Sequence, residues 1–284
     1  MIIDIHTHTF PDKIAAPAIA KMQQACHAQA FSSGTRDGLK ASMQAAGIDR
    51  SVVLPVATNP LKISSINDLS IALTEQEGLI YFGCIHPDAE NWYEELGRIA
   101  AAGIKGIKIH PVYQGADIDD PRFLRILARA AELNLLVVMH AGDDIGFPGV
   151  VRCSPKMIRN ALRQVEGVKL IAAHMGGWKN WEVVAEKLVD TDVMLDTAFS
   201  LGKVVPLEEG YYTEEQLWLL RDEPFCELVR AFGSKRVLFG TDSPWSDQRQ
   251  SRLDIEHLPL SEEEKADILG ENACRLLYEF SKNG

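Results

Sequence analysis

Eight short apolar runs, each followed by a longer stretch of helical character, constrain this 284-residue chain more than anything else in it. The runs are IIDIHTH (2–8), SVVLPVA (51–57), LIYFGCIHP (79–87), GIKGIKIHP (103–111), LLVVMHAG (135–142), VKLIAAHMGG (168–177), DVMLDTA (192–198) and RVLFGTDSPW (236–245). Most are nearly continuous in Val, Ile and Leu. That pattern suits parallel strands covered on both faces better than half-exposed hairpins. Strand–helix alternation repeated eight times predicts an α/β chain folded as a (β/α)8 barrel. A doubly wound open sheet is the competing topology, and no GxGxxG or Walker-type loop follows any run to support it. Such a barrel needs about 250 residues. Residues 1–284 therefore read as a single TIM-barrel domain with loop insertions at the C-terminal face, at 10–34 and 199–222.

The intervening segments carry helix punctuation. TRDGLKASMQAAG closes on Gly47, NDLSIALTEQEG on Gly78 and DAENWYEELGRIAAAG on Gly103, each a candidate left-handed stop. Pro121 follows two aspartates and Pro155 follows Ser154, both good first-turn placements. The final helix, SEEEKADILGENACRLLYEF, opens on Ser261 with Glu264 three residues on, a capping-box pattern.

Composition narrows the partners. The net charge of -11 argues against a nucleic-acid or anionic-membrane surface and leaves a small-molecule substrate as the expected partner. No apolar run reaches the length of a membrane span, and the first is broken at once by Asp4 and His6, unlike a secretory leader. Five scattered cysteines without a CxxC pair predict free thiols and a cytoplasmic protein. A homodimer is expected only as the commonest assembly of such chains.

The chemistry gathers at strand ends. Asp4, His6 and His8 share one face of the first strand, with Ile3 and Ile5 on the other. Burying three such groups without partners costs several kcal/mol, and a bound cation relieves that cost. His140 ends LLVVMH, His174 ends KLIAAH, Asp242 ends VLFGTD, and Lys108 with His110 lies on one face of the fourth run. His6, His8, His140 and Asp242 make a nitrogen-and-oxygen donor set for a divalent ion, with His174 and Lys108 as further ligands or acid–base groups. Any one of these could be a satisfied core residue; together at strand ends they point to a site. Asp4 is expected to orient His6 or a neighbouring polar group. His86 reads as a strand-end cap, His110 as either a cap or a neighbour of the ion, and His27 and His257 as surface residues. Arg152 and Lys203 are candidates to receive an acidic substrate, although surface charge is the simpler reading of each.

DIHTH, GIKIHP, HAG, AHMGG, GTDSPW and ILGENACRLL resemble the amidohydrolase superfamily, in particular its amidohydrolase-related branch, from the first strand to the last helix. The resemblance implies a TIM barrel with one or two divalent ions, zinc in most expectation. It assigns His6, His8, His140 and Asp242 to the first ion, and His174 to a second ion or to polarising the substrate. Lys108 matches a lysine that in binuclear relatives is carbamylated and bridges two ions; unmodified, it would hold a substrate carboxylate. The expected activity is metal-assisted hydrolysis of an amide, lactone or ester in a small, carboxylated molecule. Asp242 would move the proton of water and His174 would stabilise the developing oxyanion. The alternative is a metal-dependent decarboxylase resembling aminocarboxymuconate semialdehyde decarboxylase. A metal-binding barrel without catalysis is the non-enzyme reading.

Overall fold

The structure, a computed structural model, describes residues 1–279. All eight predicted strands form, and one short strand is added to them. The predicted ones are β1 (Ile3–Thr7), β2 (Arg50–Val53), β4 (Leu79–Tyr81) continuing as β5 (Gly83–Cys84), β6 (Gly106–Ile109), β7 (Leu136–Met139), β8 (Lys169–Ala172), β9 (Met194–Asp196) and β10 (Val237–Leu238); the added one is β3 (Glu75–Gln76). The chain divides into two compact units, one of Met1–Val52 with Asp196–Gly284, the other of Val53–Leu195.

In the second unit β5 to β9 run parallel in sequence order. The registers pair Cys84 with Lys108, Lys108 with Val138, Val138 with Ile171 and Ala172 with Leu195. Ile107, Ile109, Val137, Val138 and Met139 are fully buried, as runs apolar on both faces require. The helices between them start where the side chains dictate. Asp120 accepts from Arg122 N ahead of Pro121, and Ser154 accepts from Met157 N ahead of Pro155.

One helix departs from its predicted end. The stretch read as running to Gly78 is helical over Ile63–Leu73 and then turns back, with β3 pairing antiparallel to β4. Glu77 and Gly78 both take positive φ, 54° and 81°, the two-residue turn that closes a tight hairpin.

In the first unit β1 lies parallel to the segment that follows β10. Ile5 N donates to Phe239 O, Asp242 N to His6 O and His8 N to Ser243 O, at 2.8, 2.8 and 2.7 Å. The helix Arg36–Ala46 stops at Gly47 with φ 64°, and Ser261 with Glu264 forms the predicted capping box. The sequence-predicted final helix extends to Phe280, which lies outside the described residues. The stretch read as the first insertion is mostly the helix Asp12–Cys26. The second insertion returns to it, with Gln29 N donating to Val205 O and Leu207 N to His27 O. No helix among the described residues is long and apolar enough to cross a membrane.

Candidate metal centre

Within the first unit, β1 delivers His6 and His8, and the turn after β10 delivers Asp242. His6 Nε2 lies 3.4 Å and His8 Nε2 3.1 Å from the same oxygen, Asp242 Oδ1. The three donor atoms fall within 4.8 Å of one another. A tetrahedral ion with bonds of about 2.05 Å sets its ligands roughly 3.3 Å apart, so the set fits a small divalent cation.

The His6 ring is aimed by a residue outside the sequence-predicted set. Asp196 Oδ2 accepts from His6 Nδ1 at 2.8 Å, with both side chains buried. That contact puts the His6 proton on Nδ1 and leaves the Nε2 lone pair facing Asp242.

Asp4 plays the second of its two expected parts and not the first. Its carboxylate does not touch the His6 ring; it accepts from the His6 backbone N–H at 3.1 Å. Its main partners are Thr241 Oγ1 at 2.5 Å, Thr241 N at 3.1 Å and Gln248 Nε2 at 2.8 Å. Asp4 therefore anchors the residue before Asp242. Burial pushes its carboxyl up to about 7, against these hydrogen bonds.

The second unit brings together His140, His174 and His110 and places Lys108, 1 % exposed, on β6. His140 Nδ1 and His174 Nε2 converge at 3.0 Å, while His140 Nε2 donates to Asp143 O at 3.0 Å. Burial holds the His140 imidazole well below the usual histidine range, and neighbouring His110, His174 and Lys108 press the same way. His140 is thus a neutral nitrogen donor. His110, His140 and Asp144 form a further buried group with donor atoms within 4.8 Å. Asp144 is not a sequence-predicted site residue; it sits in the loop after β7, with nothing local to mark it.

Two of the residues assigned to chemistry carry backbone strain. His174 (φ 59°) and Asp242 (φ 64°) both adopt the left-handed region. Such a conformation costs a non-glycine residue on the order of 1 kcal/mol and clusters at functional turns. After β7 the opposite solution appears. Gly142 has φ 89°, and a Cβ there would collide with the backbone of Trp178. This close approach lets Trp178 N donate to Ala141 O and Trp181 Nε1 donate to His174 O.

The remaining sequence candidates sort plainly. His86 Nδ1 accepts from Asp88 N at 3.1 Å, the predicted cap. His257 is exposed as expected, but His27 is half-buried and stacks on Tyr211 at 3.5 Å. Arg152 pairs with Asp117 and Lys203 with Glu214. Lys203 also lies over the Trp218 ring at 4.4 Å, so both cations are engaged locally, as the simpler reading held.

Comparison with known proteins places this geometry. Three solved structures are similar over nearly the whole chain. An uncharacterized TIM-barrel protein from Bordetella bronchiseptica has 17 % identity and a TM-score of 0.73, covering 97 % of this chain and 98 % of its own. A 5-carboxyvanillate decarboxylase from Sphingomonas paucimobilis has 15 % identity and a TM-score of 0.68, covering 97 % and 98 %. A dihydroxybenzoic acid decarboxylase from Polaromonas, with bound manganese and the inhibitor 2-nitroresorcinol, has 13 % identity and a TM-score of 0.68, covering 97 % and 96 %. At these identities the likeness establishes the fold, which is the TIM barrel expected from the strand–helix alternation. No curated protein matches the sequence. The Amidohydrolase family profile matches residues 3–278, and the chain belongs to that family of metal-dependent enzymes.

Proposed function

We propose that this chain is a metal-dependent enzyme that decarboxylates a small unsaturated or aromatic carboxylic acid. The observation that carries the reading is Lys108. Its ammonium group is buried at the end of β6, close enough to His140 to depress that imidazole. A buried lysine beside the neutral His140 imidazole is suited to receive a carboxylate. The decarboxylase activities named for two similar structures support the same choice.

His6, His8 and Asp242 are the donors we assign to a divalent ion, with His140, His174 and Lys108 as the further candidates read from the sequence. When bound, the ion supplies Lewis acidity toward an oxygen of the substrate. Zinc and manganese both suit the donor types. Lys108 orients the substrate carboxylate. A proton that Asp242 takes from water and passes on replaces the departing CO2: the C–C electron pair becomes the new C–H bond, and the products are CO2 and the substrate with hydrogen in place of its carboxylate. Asp196 keeps His6 in the donor tautomer throughout. The five cysteines, all free thiols, support a cytoplasmic setting.

Hydrolysis is the second reading, favoured by the 14 % exposure of the Asp242 side chain, which admits water to the proton-moving carboxylate. The two are separated by incubating zinc- or manganese-loaded protein with unsaturated and aromatic acids, lactones and amides in 18O-labelled water. CO2 release without 18O in the organic product supports decarboxylation; 18O incorporation without CO2 overturns it in favour of hydrolysis. Asp242→Asn should lower kcat by about 10²–10⁴ with the fold retained, and near-wild-type turnover would remove Asp242 from its role.

A further inference from the structure

His110 follows β6 and lies flat between two other rings. Its centroid is 3.9 Å from that of Tyr113 at an interplanar angle of 17°, and 4.1 Å from that of His140 at 14°. Its Nδ1 accepts from Tyr113 N at 3.5 Å, which puts the ring proton on Nε2. Nε2 faces Asp144 Oδ2 at 3.3 Å, and Asp144 is itself buried, with its other oxygen accepting from Gly146 N at 2.8 Å. The backbone beneath is pinned as well. His110 N donates to Gln114 Oε1 at 2.9 Å, while Gln114 Nε2 donates to Ala57 O and Ile85 O at 3.0 and 2.5 Å.

The spacing of His110, His140 and Asp144 also suits a cation. The hydrogen bonding argues the other way. With Nδ1 accepting from the backbone, the Nε2 that would bind an ion carries the proton directed at Asp144. The group is built to hold a ring in place.

We propose that His110 is a positioning residue whose ring, stacked between Tyr113 and His140, sets the plane of the His140 imidazole. The inference rests on the reading of His140 as a metal donor. His140 is tethered at its edge by Asp143 O and His174 Nε2, contacts that leave tilt about the line joining them unopposed. The parallel face of His110 removes that freedom. A donor tilted by about 10–20° no longer presents its lone pair correctly, so an unsupported His140 binds an ion more weakly.

The test is zinc affinity, measured by competition with a chromophoric chelator on the full chain, with thermal unfolding recorded for every variant. The variants are H110A, H110Q, H110F and H140A. Loss of the ring in H110A and H110Q should weaken zinc binding about 10- to 100-fold, while H110F, which keeps the stack and drops the Nε2 proton, should stay within about threefold of wild type. If H110A does not fold, H110Q against H110F gives the same comparison. Wild-type affinity in the ring-deleted variants overturns the proposal. Equal weakening in H110F and H110Q also overturns it, because the nitrogens and not the ring plane would then carry the effect. Unchanged zinc affinity in H140A locates the failure in the assignment of His140 as a donor, and the inference falls with it.

Discussion

Asp4→Asn should stabilise the protein increasingly as the pH rises from 4 to 7. Asp4 is fully buried, and its carboxyl is pushed from 3.8 to about 7. Below pH 4 the folded and unfolded chains both hold the proton. Between pH 4 and 7 the folded chain keeps it and the unfolded chain has lost it, so stability falls as the pH rises. Above 7 both are ionised and the loss is complete. The rise from 3.8 to about 7 corresponds to about 4 kcal/mol across that window. The geometry favours a neutral group on a second ground. Gln248 Oε1 is buried without a partner while its Nε2 donates to Asp4. Turning that amide over gives a protonated Asp4 an acceptor, and the amide introduced by Asp4→Asn supplies the same donor at every pH. Urea unfolding of both proteins from pH 4 to 9, with chelator present so that cation binding adds no pH dependence of its own, reads the difference directly. The stability gap should open by up to about 4 kcal/mol and then level off above pH 7. Parallel curves, or a gap that opens toward acid, would refute the reasoning.

Three further outcomes are expected. Asp196→Ala removes the acceptor that fixes the His6 tautomer, and zinc affinity by chelator competition should fall about 10- to 100-fold. Gln114→Ala leaves Ala57 O, Ile85 O and His110 N without their buried partner; chemical denaturation should show a loss of about 2–4 kcal/mol. Gly142→Ala forces a methyl group into the backbone of Trp178 at a positive φ, and should cost about 3 kcal/mol or more in the same assay. A variant that unfolds at the wild-type urea concentration would contradict the close approach of these two segments.

What can be read without the structure is what local pattern encodes. Continuous apolar runs mark buried parallel strands, because both faces must be covered. Polar residues at their C-terminal ends stand out for the same reason. His6, His8 and Asp242 are legible on that basis, as is the first-turn role of Pro121 and Pro155. The hairpin at Glu77–Gly78 is not, because a glycine that stops a helix and one that turns a hairpin look alike in sequence. Asp196 is hidden as well: it lies inside the run DVMLDTA, and its partner is 190 residues away in the chain. Asp144 and Gln114 escape for a related reason. Gln114 works through bonds to Ala57 O and Ile85 O, and Asp144 through its contact with His110; contacts so far apart in the chain leave no periodicity behind them.

The first unit is assembled from both ends of the described chain, and this has a temporal consequence. Asp4, His6 and His8 leave the ribosome ahead of Thr241 and Gln248, which follow Asp4 by 237 and 244 residues. The intervening stretch Val53–Leu195 is a compact unit with its own parallel strands and is complete long before then. Domains generally fold as their sequence emerges. The His6–His8–Asp242 donor set is therefore a late event of synthesis, and a nascent chain cannot hold a cation there. Metal capture would report that the segment after β10 has met β1, so loading at this set doubles as a record that the two parts of the first unit have joined.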